Sequence, residues 1–224
     1  MSRAPRTAVT YALHDVAALG GFFALGVADD RPQVPFAAGE FIQLADDVAR
    51  RCGTDEARIG ASLAHLALAA RLWSPVLACT VLHGIVPDLA ALEWADGGPD
   101  VRLHRPGGWY ADRLPDPAAA VYEQVDGVLA AVENAVESAA GVKVARGLLD
   151  GNVASALVGS AGVLLRARPG VREPLTRLTR ELLGAGRLAG TGRLTGPVPH
   201  FRRTSCCLYY RVPGGGKCGD CCLN

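Results

Sequence analysis

From Glu40 onward the apolar positions recur every three or four residues. Phe41, Ala45, Val48 and Cys52 share one side of a helix, and Asp46, Asp47, Arg50 and Arg51 fall towards the other, so an amphipathic helix is expected here. Gly53 supplies its stop, and Thr54 with Asp55 and Glu56 supplies the next start. The following helix places Ile59, Leu63, Leu66 and Ala70 on one face. Ser74-Pro75 then reads as the cap and first residue of a further helix that ends near Gly84. Cys52 and Cys79 fall inside these helices and are expected to be ordinary core thiols. Upstream, residues 7–27 are apolar with His14 and Asp15 inside and Gly20-Gly21 dividing them, which predicts a helix with an ill-defined end. The prolines of residues 29–35 predict a loop.

The helical period disappears between Leu89 and Asp112. Leu92-Glu93-Trp94-Ala95 and Val101-Arg102-Leu103-His104 read as two short strands around the turn Asp96-Gly97-Gly98-Pro99-Asp100, with Trp109-Tyr110 as a possible third piece. Trp94, Trp109, His104 and Arg102 are the ligand-facing candidates of this insertion, set against a small hairpin with its aromatics packed inward. Asp116-Pro117 opens the longest clear helix. Its stripe is Val121, Val125, Val128, Val132 and Val136; Glu123, Asp126, Glu133 and Glu137 read as solvated, and Gly141 as its end. A second long helix follows over residues 142–166, with Asp150-Gly151-Asn152 as a possible break, and a shorter one over residues 171–183. Gly184, Gly186, Gly190, Gly192 and Gly196, followed by Pro197 and Pro199, read as a linker outside the core. The expected fold class is mainly α: a helical body over residues 1–185 with a β insertion near 89–112, a linker over 186–199, and an irregular C-terminal segment over 200–224.

Composition narrows the picture. Half of the residues are apolar, enough for a real core, and the formal charge of +1 argues against a protein held on nucleic-acid phosphates. The most apolar stretch, residues 59–86, is interrupted by His65, Arg71, His83 and Ser74-Pro75, so it predicts buried helix rather than a membrane span. No secretory signal is legible after Met1, so a reducing, cytoplasmic setting is expected.

Five of the seven cysteines lie in the last nineteen residues: Cys206-Cys207, a ten-residue gap, then Cys218-Gly219-Asp220-Cys221-Cys222. Core thiols are scattered, so this clustering points to disulfides, zinc or an iron–sulfur cluster, and Pro213-Gly214-Gly215-Gly216 lets the chain turn back to bring the thiols together. Disulfides fit a reducing compartment worst. A zinc ribbon would pair two Cys-x-x-Cys knuckles, and ferredoxin spacings also differ, so spacing alone leaves zinc and iron–sulfur close to even. Arg193, Arg202, Arg203, Arg211 and Lys217 lie near these cysteines in sequence, opposed only by Asp220. They read either as a solvated basic rim or as positive charge that raises the potential of a net negative cluster.

The run Arg203-x-x-Cys206-Cys207-Leu208-Tyr209-Tyr210-Arg211, then Gly214-Gly215-Gly216 and Cys218-Gly219-Asp220-Cys221, resembles the C-terminus of the FhuF-like siderophore ferric reductases. The segments from Ala61-Ser62-Leu63 to Arg71-Leu72-Trp73-Ser74-Pro75, and Gly151-Asn152-Val153-Ala154-Ser155, resemble the body of that family. The resemblance implies a [2Fe-2S] cluster on Cys206, Cys207, Cys218 and Cys221, leaving Cys222 outside the motif. It also implies one-electron reduction of a ferric siderophore in the cytoplasm. Siderophores hold Fe(III) through hard, charged oxygens and bind Fe(II) far more weakly, so one electron releases the ion. His200 could donate a proton to the departing ligand, or simply be structural.

No glycine-rich turn sits between a strand and a helix, and no Gly-Lys-Ser/Thr occurs, so no nucleotide site is legible. Electrons are therefore expected from a ferredoxin or flavodoxin-like carrier. Arg202, Arg203, Arg211, Lys217, Trp109 and His104 are the candidates for docking carrier or substrate. The alternative is an electron-transfer module or a redox or iron sensor with no substrate of its own.

Overall fold

A computed structural model describes residues 2–28, 38–95, 100–140, 142–195 and 200–223. Six α-helices are found among them: α1 (Arg6–Ala17), α2 (Ala38–Arg51), α3 (Ala57–His83), α4 (Pro117–Ala140), α5 (Arg146–Ala167) and α6 (Arg172–Leu183). The fold is mainly α with small sheets, as the periodicity predicts. The expected loop at residues 29–35, the turn at 96–99 and the stop at Gly141 lie outside the described residues, as do Gly196, Pro197 and Pro199.

The core is organised along α3, about 40 Å long at 1.5 Å per residue. It packs lengthwise on α5 and α2, with α1 and α4 against its flanks. Leu68, Leu72, Trp73, Val76 and Leu77 are fully buried, and Trp73 donates its indole N–H to the Val153 carbonyl of α5 at 3.1 Å. The boundary expected at Ser74-Pro75 does not exist, because α3 runs through Pro75. Proline forfeits one backbone hydrogen bond and crowds the preceding turn. Here every residue from 72 to 79 is buried, and Ser74 is hydrogen-bonded to Ser160 at 2.8 Å; that packing outweighs the local cost. By length and composition α3 and α5 could each cross a bilayer, but their apolar windows are 61% and 72% buried inside the fold, which makes them core helices.

The strands form three small sheets. β1 (Gly26–Ala28) and β3 (Leu92–Trp94) flank β4 (Val101–His104), parallel and antiparallel respectively. The expected hairpin is present, with Trp94 opposite Val101. The third piece, β5 (Gly107–Tyr110), joins β2 (Ile85–Asp88) instead, with Trp109 opposite Val86. β6 (Gly192–Thr195) pairs antiparallel with β7 (His200–Arg203), placing Leu194 opposite Phe201.

Several local expectations need correction. The N-terminal helix stops at Ala17 and is followed by a 3₁₀ turn and β1. Asp150-Gly151-Asn152 is no break, since α5 runs straight through it. The glycine-rich stretch after α6 is not a passive linker: Leu188 belongs to the core, and β6 is built from its residues. Glu133 is not solvated. It is buried against His65 Nε2 at 2.8 Å and takes both of its oxygens to Arg187 Nη1, at 2.7 and 2.6 Å. Asp126 also meets Arg187, at 2.7 Å. Arg187 enters from the supposed linker, so helical periodicity in α4 could not foresee its partner.

Candidate metal centre

β7 delivers the chain to the cysteines. Cys206 and Cys207 follow it, and Leu208 turns the backbone with a left-handed φ of 68°. A 3₁₀ turn over Tyr209–Arg211 leads into the glycines. There Gly214 has φ 72° and the Gly215 amide donates to the Val212 carbonyl at 2.7 Å, reversing the chain. A side chain at Gly215 would sit 2.7 Å from the Tyr209 carbonyl oxygen, so only glycine closes this loop. Cys218 to Cys221 forms a tight turn, with the Cys221 amide donating to the Cys218 carbonyl at 3.1 Å.

The loop brings the thiols together in a particular way. Cys207 and Cys218 approach to 3.4 Å between sulfurs, near the roughly 3.8 Å that separates two thiolates on one tetrahedral metal with bonds of about 2.3 Å. Cys207 and Cys221 are buried, while Cys206, Cys218 and Cys222 are half-buried. Backbone amides already point at sulfur: Leu208 N–H donates to Cys206 Sγ at 3.3 Å and Leu223 N–H to Cys221 Sγ at 3.4 Å. Burial pushes the Cys206 thiol above its ordinary value, as do the neighbouring sulfurs of Cys207, Cys222 and Cys221, against the Leu208 amide. Cys218 is pushed up chiefly by burial, then by Cys207 and Asp220. Crowded thiols of this kind hold their protons until a cation stabilises the thiolates. Among the described residues no three His, Cys, Asp or Glu side chains gather as one metal ion would require. A two-iron cluster would take its thiolates in pairs, and Cys207 and Cys218 are close enough to serve as one such pair.

The seat of this segment is a buried polar network across α3 and α5. Ser62 Oγ donates to the Cys207 carbonyl at 2.8 Å. Asn152 Nδ2 donates to the Ser62 carbonyl at 2.9 Å and lies 3.2 Å from Ser62 Oγ. Arg203 Nη2 donates to Asn152 Oδ1 at 2.8 Å and to the Leu148 carbonyl at 3.2 Å. Asp220 is held twice, its side chain by the Ser155 hydroxyl and its carbonyl by the Arg203 amide at 3.1 Å. Gly151 makes this approach possible, because a Cβ there would fall 2.2 Å from Ser205 Oγ and 2.8 Å from Arg203 Nη2.

Arg203 is 2% exposed, and its Nε and Nη1 are buried without a hydrogen-bond partner among the described residues. A buried guanidinium that no carboxylate among the described residues neutralises, three residues before the first thiol, suits a net negative thiolate cluster. The residues present therefore fit an iron–sulfur group.

Other expected site residues are placed differently. Arg203 faces inward and is a fastener rather than a docking residue. Arg211 and Lys217 are exposed beside the thiols, with Arg211 paired to Glu56 Oε2 at 2.8 Å, and Arg202 is half-buried in β7. His104 is buried in β4, and Trp109 is half-buried under the Arg3 guanidinium, 5.1 Å from its ring centroid. Trp109 belongs to the sheet at the C-terminal end of α3, about 30 Å along the helix from Ser62. These two residues are not part of the thiol site. His200 is exposed at the start of β7. Ser62 and Ser155 carry no signal of their own, although both lie inside the segments Ala61-Ser62-Leu63 and Gly151–Ser155 that resemble the family.

Comparison with known families matches residues 203–223 to the FhuF 2Fe-2S C-terminal domain. Comparisons with curated proteins and with solved structures find no match. The matched residues begin at the buried arginine and include all five clustered cysteines. Residues 203–223 match the FhuF 2Fe-2S C-terminal domain, which indicates a [2Fe-2S] cluster as the cofactor of this segment.

Proposed function

We propose that the protein is a ferric-siderophore reductase that transfers one electron to a hydroxamate-type Fe(III) chelate in the cytoplasm and so frees Fe(II). The observation that carries this reading is the match to the FhuF 2Fe-2S domain at residues 203–223, of whose thiols Cys206, Cys218 and Cys222 are half-buried and Cys207 and Cys221 buried. Cys206, Cys207, Cys218 and Cys221 are the proposed ligands. The [2Fe-2S] group supplies single electrons.

The chain's own residues position and tune this centre. Ser62, Asn152 and Arg203 pin the backbone at Cys207, and Ser155 pins the Cys218–Cys221 turn through Asp220. The Leu208 and Leu223 amides and the buried Arg203 cation favour negative charge on the sulfurs. The substrate Fe(III) gains one electron and becomes Fe(II), which hard oxygen donors hold weakly. A one-electron carrier of the ferredoxin or flavodoxin kind then restores the protein. Tyr209, Tyr210 and Leu223 are exposed around the thiols, with Arg211 and Lys217 beside them. An aromatic patch rimmed by cations suits an acidic carrier.

Stopped-flow mixing of the reduced protein with ferric hydroxamates and ferric catecholates tests the reading. Saturable reoxidation by the hydroxamates is expected. Reoxidation by every chelate no faster than in buffer would favour a carrier or sensor without its own substrate.

A further inference from the structure

Beside the cluster seat lies a cleft of about 300 Å³ lined by Phe41, Ala61, Val132, Val144 and Leu149, with His65 and Glu133 in its wall and Lys143 and Arg146 among its lining residues. Its size is at the lower end of the range for small-molecule sites, about 300–1,000 Å³. Its walls continue the seat of the cysteines. Ala61 precedes Ser62, which holds the Cys207 carbonyl, and Leu149 follows Leu148, whose carbonyl accepts from Arg203. A ligand in the cleft is thus separated from the thiol segment by α3 and α5 residues that touch both.

The lining is mixed in a specific way. The apolar side chains come from α2, α3, α4, α5 and the α4–α5 connection. His65 is 2% exposed, and its Nδ1 has no hydrogen-bond partner among the described residues, while Nε2 is held by Glu133. Glu133 is neutralised by Arg187, and the lining carries a second carboxylate, the exposed Glu137. Lys143 and Arg146 are both exposed, and Arg146 already lies 3.6 Å from Asp150 and 3.8 Å from Glu133. An apolar cleft with an unmatched imidazole nitrogen in its wall, and both cations and a carboxylate at exposed positions of its lining, suits an apolar chain that ends in a polar oxygen group without net charge.

We propose that this cleft receives one arm of the substrate, an apolar chain bearing a hydroxamate-type oxygen chelator, and thereby holds the chelated iron beside Cys207. The inference rests on the ferric-chelate reading above and adds the place and chemistry of recognition. The cleft takes one arm, not the whole chelate, so it orders chelates by the length and polarity of the chain between their iron-binding groups. Lys143 donates hydrogen bonds to the oxygens, and the valines and Phe41 exclude water from the chain.

The test uses the cluster-loaded oxidised protein and a redox-inert Ga(III) trihydroxamate, with binding followed by calorimetry. Single-turnover reoxidation by the matching Fe(III) complex is measured in parallel. Val144→Trp fills the cleft and Lys143→Glu reverses a lining charge at an exposed position; Arg105→Glu, on the β4–β5 turn, serves as control. The expected result is a Kd and a half-saturation raised about tenfold or more in the first two, with the visible spectrum unchanged and the control within about twofold of the parent. Should Val144→Trp fail to load its cluster, Lys143→Glu carries the test. Parent-like Ga(III) binding in both variants, in a protein that the Fe(III) complex reoxidises, would overturn the cleft and leave the reductase reading standing. A parent protein that neither binds the gallium complex nor is reoxidised by the iron complex would instead sink the reductase reading, and the cleft with it.

Discussion

Replacing Asn152 by leucine tests how the cluster is held. The side chains are close in size, so the buried site is not emptied, and leucine is the better helix former. What changes is polar. Asn152 donates to the Ser62 carbonyl at 2.9 Å and accepts from Arg203 Nη2 at 2.8 Å, fully buried. A neutral buried hydrogen bond contributes about 0.5–1.5 kcal/mol, and one involving a charged group about 1.5–3. Arg203 keeps the Leu148 carbonyl, so the summed loss is about 2–4 kcal/mol. Most of it falls on the contact between the C-terminal segment and the α3–α5 surface, because both partners of Asn152 hold that segment. At about 1.4 kcal/mol per factor of ten, a mid-range loss opens the segment roughly a hundredfold more often. Cluster release to an excess Fe(II) chelator, followed by bleaching of visible absorption, should therefore speed up by about two orders of magnitude. Far-UV circular dichroism at the same temperature should stay unchanged. A release rate within about threefold of the parent, with the helices still folded, would refute the network as the cluster's anchor.

Three further outcomes are expected. Serine at Cys206, Cys207, Cys218 or Cys221 should each lose or destabilise the cluster, whereas Cys222→Ser should keep it; iron and sulfide content with the visible spectrum reads this, and loss in Cys222→Ser with retention in Cys221→Ser would shift the ligand set by one. Burial pushes the Glu133 carboxyl up, but His65 and Arg187 outweigh it and hold the carboxyl below its ordinary value of 4.5. Glu133 therefore adds stability that is complete above about pH 4.5 and fades as pH falls through its depressed folded value, so Glu133→Gln should flatten the acid limb of a stability–pH curve from denaturant titrations, and an unchanged limb would remove this role. Finally, reduction by an acidic carrier should slow as salt rises from about 50 to 500 mM, while Lys217→Glu weakens both the rate and its salt dependence; a salt-independent rate would move docking away from this rim.

The helical stripes were legible because burial follows period: Val121, Val125 and Val132 are all buried as the spacing of α4 predicts. Where the reading failed, a partner distant in sequence had intervened. Glu133 looks solvated on its own helix and is buried by Arg187, which arrives from 54 residues away. Ser74-Pro75 carries a strong local boundary signal, but burial on every side keeps α3 continuous. The thiols and their glycine turn were visible in the spacing, since covalent neighbours carry that signal. Their seat was not, because Ser62, Asn152 and Arg203 meet only when α3, α5 and β7 pack together. Arg203 illustrates the limit: in sequence it is one more cation near the cysteines, in the fold a buried one.

The central claim is that the electron held by the C-terminal domain passes to chelated Fe(III). It is tested most directly by mixing anaerobically reduced protein with one equivalent of a ferric trihydroxamate in the presence of an Fe(II)-specific trap, while cluster oxidation is followed by its visible absorption. The account predicts one trapped Fe(II) for each cluster oxidised, with the two signals rising together. Cluster oxidation without trapped Fe(II), or a cluster that stays reduced while the chelate keeps its iron, would contradict it.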